Sequence, residues 1–242
     1  MRKAIAMIEL IFAIVIIGII LMSAPMLIST ASKSGYVAIQ QEAINEAAAQ
    51  VNMILGHYWD ENNVNETEDS IILQTGGDAG LNEDNRTGSP TGRRTGTPST
   101  SLRTFLTSDG LRLNASTVGS DAGETPALEE HKDDMDDFHN STSLTQIQFS
   151  PDANYIETDT INIDRNVTYM SDAPGGGTYL DPGADNKLIF SHPFSAASPP
   201  GRTNIKQISV TLTSTSTADA LKKKIVLRAF TCNIGSYRLE ER

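Results

Sequence analysis

Residues 5–28 form one apolar run near the start of the chain, and a single carboxylate, Glu9, interrupts it. The run contains 24 residues, and about 20 apolar residues suffice for a helix to cross a bilayer. A carboxylate inside such a span costs about 2.5–3.5 kcal/mol on insertion scales. We therefore treat Glu9 as a candidate functional residue that needs a cationic partner. The nearest cations in sequence are Arg2, Lys3 and the amine that begins the chain.

Two general interpretations of this segment leave Glu9 unexplained. The first is a secretory signal peptide with a basic start, an apolar core over residues 10–21 and a cut near Ser23 and Ala24. The second is an ordinary membrane anchor, which needs only the apolar length.

A third interpretation rests on the spacing of a few residues. A short basic leader ends in the small residue Ala4, and Ile5, Glu9 and Gly18 follow. This pattern resembles the N-terminal cleavage and methylation segment of type IV pilins and type II secretion pseudopilins. The resemblance implies cleavage after Ala4 by a prepilin peptidase and methylation of the new N-terminal residue, Ile5. Ala4 stands where the family usually has Gly, and Pro25 lies one residue before the proline common in the family.

The resemblance also implies roles for residues inside the run. Glu9 would pair with the N-terminal amine of a neighbouring subunit, which offsets part of its burial cost and sets subunit register. The leader would stay cytoplasmic by the positive-inside rule, with the bulk of the chain across the inner membrane. Gly18 and Pro25 make residues 18–25 the softest stretch of the helix, and this region bends or melts during assembly in the family. The alternative is a tolerated kink in a membrane helix.

The helix is predicted to continue beyond the apolar run, to about Tyr58. It would then be roughly 80 Å long. Its second half is amphipathic, with good helix formers and a seven-residue recurrence of apolar residues. A short coiled coil is the alternative for this half. The predicted stripe consists of Val37, Ile44, Ala47, Ala48, Val51, Ile54, Leu55 and Tyr58.

The remaining residues, 60–242, have a different composition and are predicted to form one β-rich, pilin-like domain. Nine of the ten prolines lie there. We thus divide the chain into a leader (1–4), a long helix (5–59, with the transmembrane segment 5–28) and this domain. Within it, residues 75–100 and the acidic residues 118–143 lack apolar periodicity and are predicted to be exposed loops, with disorder as the alternative for the first.

Alternating apolar residues predict several strands after the helix. The clearest are 204–213 and 224–234, which we expect to form an antiparallel hairpin. Ile208, Val210 and Leu212 would face the core from one strand, and Val226, Phe230, Cys232 and Ile234 from the other. The predicted class is α+β, a long N-terminal helix packed on a C-terminal antiparallel sheet. The other predicted strands are 70–75, 144–150, 161–170 and 187–190.

Cys232 is the only cysteine, so no intrachain disulfide can form. We predict that it is a core residue, because it alternates with apolar neighbours. Many type IV major pilins carry a C-terminal disulfide loop, so its absence favours a pseudopilin or a lineage without the loop. A chain that ends in a Thr/Val-rich hairpin is more similar to a minor pilin or minor pseudopilin.

Two groups of carboxylates are candidates for calcium, whose preferred ligands are oxygens. The first lies between His131 and His139 and contains Asp133, Asp134, Asp136 and Asp137. The second is Asp181 and Asp185, with Asn186, in a turn-rich stretch. Neither has the spacing of an EF-hand loop, and a solvated acidic loop is the alternative for the first group.

Five Asn-x-Ser/Thr sequons occur, and two have the upstream acid that bacterial N-glycosylation enzymes favour. These are Asn85, preceded by Glu83, and Asn166, preceded by Asp164. Both are candidate glycosylation sites, with a chance occurrence in an acidic, Asn-rich chain as the alternative.

Charge and motifs favour a structural protein over an enzyme or a nucleic-acid binder. The net charge is −11, and removal of Arg2 and Lys3 with the leader would make it −13, which disfavours general binding of nucleic acid. Arg93-Arg94 and Lys222-Lys223-Lys224 are predicted to be solvated. The sequence contains no Walker A loop, paired-His motif or GxSxG elbow.

These observations predict a non-enzymatic subunit of a type IV pilus-like filament, with the other subunits, the peptidase and the methylase as partners. The alternatives are a minor pseudopilin of a periplasmic type II secretion filament and a membrane-anchored binding or enzymatic domain.

Overall fold

The structure, a computed structural model, consists of one long helix followed by an antiparallel sheet. Among the described residues, α1 (Arg2–Leu55) precedes β1 (Ser141–Ile147), β2 (Asp159–Met170), β3 (Ile205–Ser214) and β4 (Ile225–Cys232). The predicted α+β class is confirmed. The residues described are 2–63, 71–85, 87–119, 132–147, 159–176, 178–181, 187–189, 201–214, 219 and 221–235, without the side chains of 2–6, 143–147 and 159–160.

Helix α1 is continuous over 54 residues, with Pro25 inside it. At about 1.5 Å per residue it is about 81 Å long. It ends three residues before the predicted Tyr58. The backbone N–H of Gly56 donates to the carbonyls of Asn52 and Met53, at 3.1 and 3.0 Å. These bonds close the last turn, and the chain then leaves the helix axis.

The two halves of α1 have different surroundings. Residues 7–28 are exposed along their whole length, and α1 is long and apolar enough to cross a membrane. Further along, Ile39, Ala43, Ala47 and Ile54 are buried against the sheet. One helix therefore carries an uncovered apolar half and a packed half.

The packed face of α1 is rotated from the predicted stripe. Val37 is 63% exposed and Tyr58 49% exposed, so neither belongs to the core. The buried positions instead follow steps of four residues from Ile39 to Ala47. Residues spaced seven apart shift gradually around a straight helix that has 3.6 residues per turn. The first and last residues of the predicted stripe, Val37 and Tyr58, therefore point away from the sheet.

The four strands follow one another in space as in sequence, and every neighbouring pair is antiparallel. The predicted hairpin is confirmed as β3 and β4. Ile208, Val210 and Leu212 are buried as predicted. α1 packs against β3 and β4, so the core lies between the second half of the helix and this face of the sheet.

The predicted core face of β4 is wrong by one residue. Val210 lies opposite Leu227 and Ile208 opposite Ala229, and the core contacts Ile225, Leu227 and Ala229. Because side chains alternate between the faces of a strand, an offset of one inverts the assignment. Cys232 is accordingly exposed, not a core residue.

Two predicted strands are not strands in the part of the chain that the structure describes. Residues 71–75 are buried at Ile71, Ile72 and Leu73 but form only the single bridge Gln74–Asn114. Residues 187–189 form only the bridge Gly176–Ile189. The bridging partner of each segment lies outside the named strands. Neither segment therefore has a neighbouring strand with which to form a continuous series of backbone hydrogen bonds.

Candidate functional site

The residues implicated in processing and assembly lie along the first half of α1. Ala4 and Ile5 belong to its first turns. Glu9 is exposed on the helix surface, and no atom outside the helix's own neighbourhood lies within 4 Å of the Cβ position of Gly18. Nothing else in the described chain packs on residues 7–28, so Glu9 and Gly18 face outward on a bare helix.

The surface around Glu9 is strongly apolar. Exposure of the large apolar side chains ranges from 52% at Val15 to 84% at Met22. Covering one such side chain is worth about 1.5–3 kcal/mol. This exposed apolar surface is larger than soluble monomers usually carry, and the helix that bears it is long and apolar enough to cross a membrane.

A second candidate site lies at the centre of the folded part, around a fully buried lysine. Lys206 of β3 has no exposed surface, and its Nζ is 2.8 Å from the carboxylate of Asp136 and 3.3 Å from that of Asp60. Nζ also donates to the backbone carbonyl of Trp59. It lies 4.1 Å from the Trp59 ring centroid and 5.1 Å from that of Tyr169. The ammonium is thus surrounded by acceptors and aromatic faces and has no solvent-exposed surface.

Two neighbours hold the carboxylates in place. Ser116 donates its backbone N–H to both oxygens of Asp60, at 3.1 and 2.9 Å. Its hydroxyl lies 3.1 Å from Asp60 Oδ2 and 3.0 Å from Asp136 Oδ2. The Tyr169 hydroxyl donates toward Asp60 at 3.3 Å and the Ser116 carbonyl at 3.0 Å. Tyr169 lies directly opposite Lys206 in the β2–β3 ladder, so the sheet register brings this cluster together.

Burial changes the acidity of these groups. Desolvation raises the pKa of Asp136 to about 6, although Lys206 opposes the shift. Desolvation, together with the nearby Asp136, raises the pKa of Asp134 to about 8. The pKa of Tyr169 is also raised by burial and by the two neighbouring carboxylates. A proton on Asp136 or Asp134 is therefore much less costly than on a surface aspartate.

The first calcium candidate group is not a solvated loop. Asp134, Asp136 and Asp137 are buried, and only Asp133 is exposed. Asp134 accepts the N–H groups of Asp136 and Asp137, at 2.6 and 3.2 Å. Asp137 accepts those of Asp133 and Asp134. The chain's own donors occupy these carboxylates, and across the described ranges no group of three or more His, Cys, Asp or Glu is arranged to hold a metal.

The remaining candidates are scattered. Asp181 is exposed, and Asp185 lies outside the described residues. Asn85 is exposed in a turn, whereas Asn166 lies within β2, where its amide oxygen is buried. Of the candidates that the structure describes, none of Asp181, Asn85 and Asn166 has a contact with the Lys206 cluster.

Arg94, predicted to be solvated, is instead half-buried. Its guanidinium donates to the carbonyls of Leu81 and Asn233 and to the side chain of Asn204. Burial lowers its pKa. Asp172 accepts the backbone and side-chain N–H groups of Asn204, at 2.9 and 2.7 Å. These contacts fix part of the 75–100 segment to the end of the sheet, so that segment is not simply an exposed loop.

Sequence reasoning missed Lys206, Asp60 and Ser116 and considered Asp136 only as a calcium ligand, although one signal was present. Lys206 shares a strand face with Ile208, Val210 and Leu212, and a lysine on an otherwise apolar face demands a buried partner. Neither Asp60 nor Ser116 has such a signal, because both lie in irregular segments.

Comparison with protein-family models, with curated proteins and with solved structures finds no match to this chain.

Proposed function

We propose that this protein is a structural, non-enzymatic subunit of a type IV pilus-like filament, made with a leader that ends at Ala4. The observation that carries the proposal is the division of α1. Its residues 7–28 are apolar and exposed, while Ile39 to Ile54 pack on the sheet without a break in the helix. A filament subunit needs such a helix, because its first half enters a core of like helices and its second half holds the outer part of the subunit.

The continuity of α1 distinguishes this proposal from a plain anchor. A tethered enzyme or binding module needs only a span and a linker, and a flexible linker serves it well. Here the helix that would lie in the membrane also packs in the core of the folded part. Orientation of the folded part is then fixed relative to the helix axis, which is what a regular helical array of subunits demands.

Glu9 supplies the second support. An isolated acid near the start of the apolar half is costly for a simple anchor. In a bundle of identical subunits it gains a partner when the N-terminal amine of a neighbour lies beside it. The amine and the carboxylate then set the register between subunits. Cleavage after Ala4 would bring that amine to Ile5, close to Glu9 in sequence.

The deciding experiment compares Glu9→Ala with Ser23→Ala in the native producer. Both substitutions remove one polar side chain from the same span, and the Ser23 hydroxyl donates only to the Ile20 carbonyl at 3.0 Å. We expect both variants to reach the membrane and to begin at N-methylated Ile5 by mass spectrometry. Only Ser23→Ala should enter filaments sheared from the cell surface.

Three outcomes would contradict the proposal. One is a mature chain that begins at Met1, which indicates a plain anchor, and another is a chain that begins near Pro25, which indicates a secreted domain. The third is Glu9→Ala assembling like the wild type. Filaments restricted to the periplasm would move the assignment to a secretion pseudopilin.

A further inference from the structure

We propose that Lys206 and Asp136 form an intramolecular isopeptide bond, with Asp60 as the group that accepts and returns the protons. The inference rests on the buried geometry of these three side chains. It is independent of the filament proposal, because it concerns only the folded part of the chain.

The reacting atoms are already close. Lys206 Nζ is 2.8 Å from Oδ1 of Asp136 and 2.8 Å from Oδ2. A nitrogen equidistant from both oxygens lies about 3 Å from the carbon between them, which is the separation of a near-attack arrangement. Among the described residues, Oδ1 receives no hydrogen bond of acceptable geometry in spite of this distance. The nitrogen thus lies at the same distance from both oxygens, opposite the carbon that it would attack.

The second carboxylate is positioned for proton transfer. Asp60 Oδ2 is 3.3 Å from Nζ. The Ser116 N–H donates to both oxygens of this carboxylate, and the Ser116 hydroxyl donates to Oδ2. The Ser116 hydroxyl lies between the two acids, 3.1 Å from Asp60 and 3.0 Å from Asp136. A proton can thus pass from Lys206 to Asp60 and on to the oxygen that leaves Asp136.

The reaction balances without an added reactant. The Lys206 ammonium gives one proton to the Asp60 carboxylate, and the freed amine attacks Cγ of protonated Asp136. Asp60 returns the proton to the departing hydroxyl, which leaves as water, and takes the last proton from the nitrogen. The N–C bond replaces the C–O bond, Asp60 ends protonated, and neither net charge nor oxidation state changes.

The surroundings favour the product. Lys206, Asp60 and Asp136 have essentially no exposed surface, and a buried ion pair carries a desolvation penalty that a neutral amide avoids. Burial also raises the pKa of Asp136, so its reactive acid form is accessible near neutral pH. Trp59 and Tyr169 cover the nitrogen and exclude the water that would solvate the ammonium.

The molecule contains a matched comparison. Lys222 and Asp219 approach to 2.9 Å, nearly the same distance, but their side chains are 53% and 96% exposed. Water solvates both partners there, and no second carboxylate is placed to relay protons among the described residues around them. We expect this pair to remain an ordinary ion pair.

Mass spectrometry of the full chain in detergent tests the inference. We expect an intact mass about 18 Da below that of the observed sequence, and a proteolytic fragment that joins the Asp136 and Lys206 peptides and resists hydroxylamine. Lys206→Arg keeps the charge but lacks the amine nucleophile, and Asp60→Asn lacks the proton acceptor. Both variants should show the full unshifted mass, and Lys222→Arg should show the loss.

Two results would overturn it. One is a wild-type chain of unshifted mass, a measurement that does not depend on whether any variant folds. The other is a loss of about 18 Da that hydroxylamine reverses or that maps away from these two peptides, because this indicates a succinimide at another site.

Discussion

Asn233 and Leu73, 160 residues apart in sequence, hydrogen-bond each other twice. The Leu73 N–H donates to Asn233 Oδ1 at 3.0 Å, and the Asn233 Nδ2 donates to the Leu73 carbonyl at 2.7 Å. A side-chain amide here takes the place of a neighbouring strand. The buried backbone groups of Leu73 are therefore satisfied although this residue does not join the sheet.

Replacement of Asn233 by Ala is expected to lower the unfolding free energy by about 2–4 kcal/mol, because it leaves one buried N–H and one buried carbonyl without partners. Denaturation of the full chain in detergent, followed by the fluorescence of the single Trp59, measures this. Asn85→Ala, at an exposed asparagine, is the control and should change little. Equal effects of the two substitutions would contradict this role for Asn233.

Asp134 is expected to make stability depend on pH. Its pKa is raised by burial from 3.8 to about 8, so the folded chain binds more protons than the unfolded chain between these values. The Asp134 contribution to the unfolding free energy is therefore fully present below about pH 4 and is lost as pH rises through about 8. In Asp134→Asn this contribution should disappear.

The measurement is the difference in unfolding free energy between wild type and Asp134→Asn from pH 5 to pH 9. We expect the asparagine variant to gain relative to the wild type as the pH rises. Asp133→Asn, at the exposed neighbour, should give a flat difference. A flat curve for Asp134→Asn would show that its carboxyl is not buried in solution.

The rotated face of α1 predicts opposite effects at two apolar positions. Ile54 is fully buried, and Val37 is 63% exposed. Ile54→Ala should lower the unfolding free energy by about 2–5 kcal/mol, through lost apolar burial and a residual cavity. Val37→Ala should leave the monomer in detergent nearly unchanged. Similar losses at both positions would instead support the seven-residue stripe.

Cys232 is expected to react with a maleimide in the folded protein, since its side chain is exposed. The pKa of the Cys232 thiol is nevertheless raised, because neighbouring groups partly desolvate it. Labelling should therefore be slow at neutral pH and faster as the pH rises. Leu212→Cys in a Cys232→Ser background places a thiol at a buried position and should label only after denaturation. Protection of Cys232 in the native chain would restore the predicted core assignment.

Local periodicity predicted the elements best where one signal dominated. The uninterrupted apolar run and its amphipathic continuation predicted a helix that the structure confirms as Arg2–Leu55. Alternation in 204–213 predicted β3 and its core face. The same alternation in β4 was ambiguous, because apolar residues occupy both faces, and only pairing with β3 decides that Leu227 points inward.

The candidate sites divide in a similar way. Glu9 was recognisable because an acid within an apolar run has no local explanation. The group formed by Asp60, Asp136 and Lys206 was not, because its members come from a bend, a short 3-10 helix and a strand that are distant in sequence. The sequence predicts a solvated or calcium-binding loop for the acids at 134, 136 and 137, because it does not indicate that these acids are the ones that lie beside the buried Lys206.

By itself, the sequence determined the long helix, its uncovered apolar half and the antiparallel hairpin, because these depend on spacing between near neighbours. Only the tertiary structure decided which face of α1 is buried, which way β4 is turned and that Lys206 meets Asp136. Those outcomes depend on contacts between distant segments, where strand register and the cost of burying an unpaired charge select the arrangement.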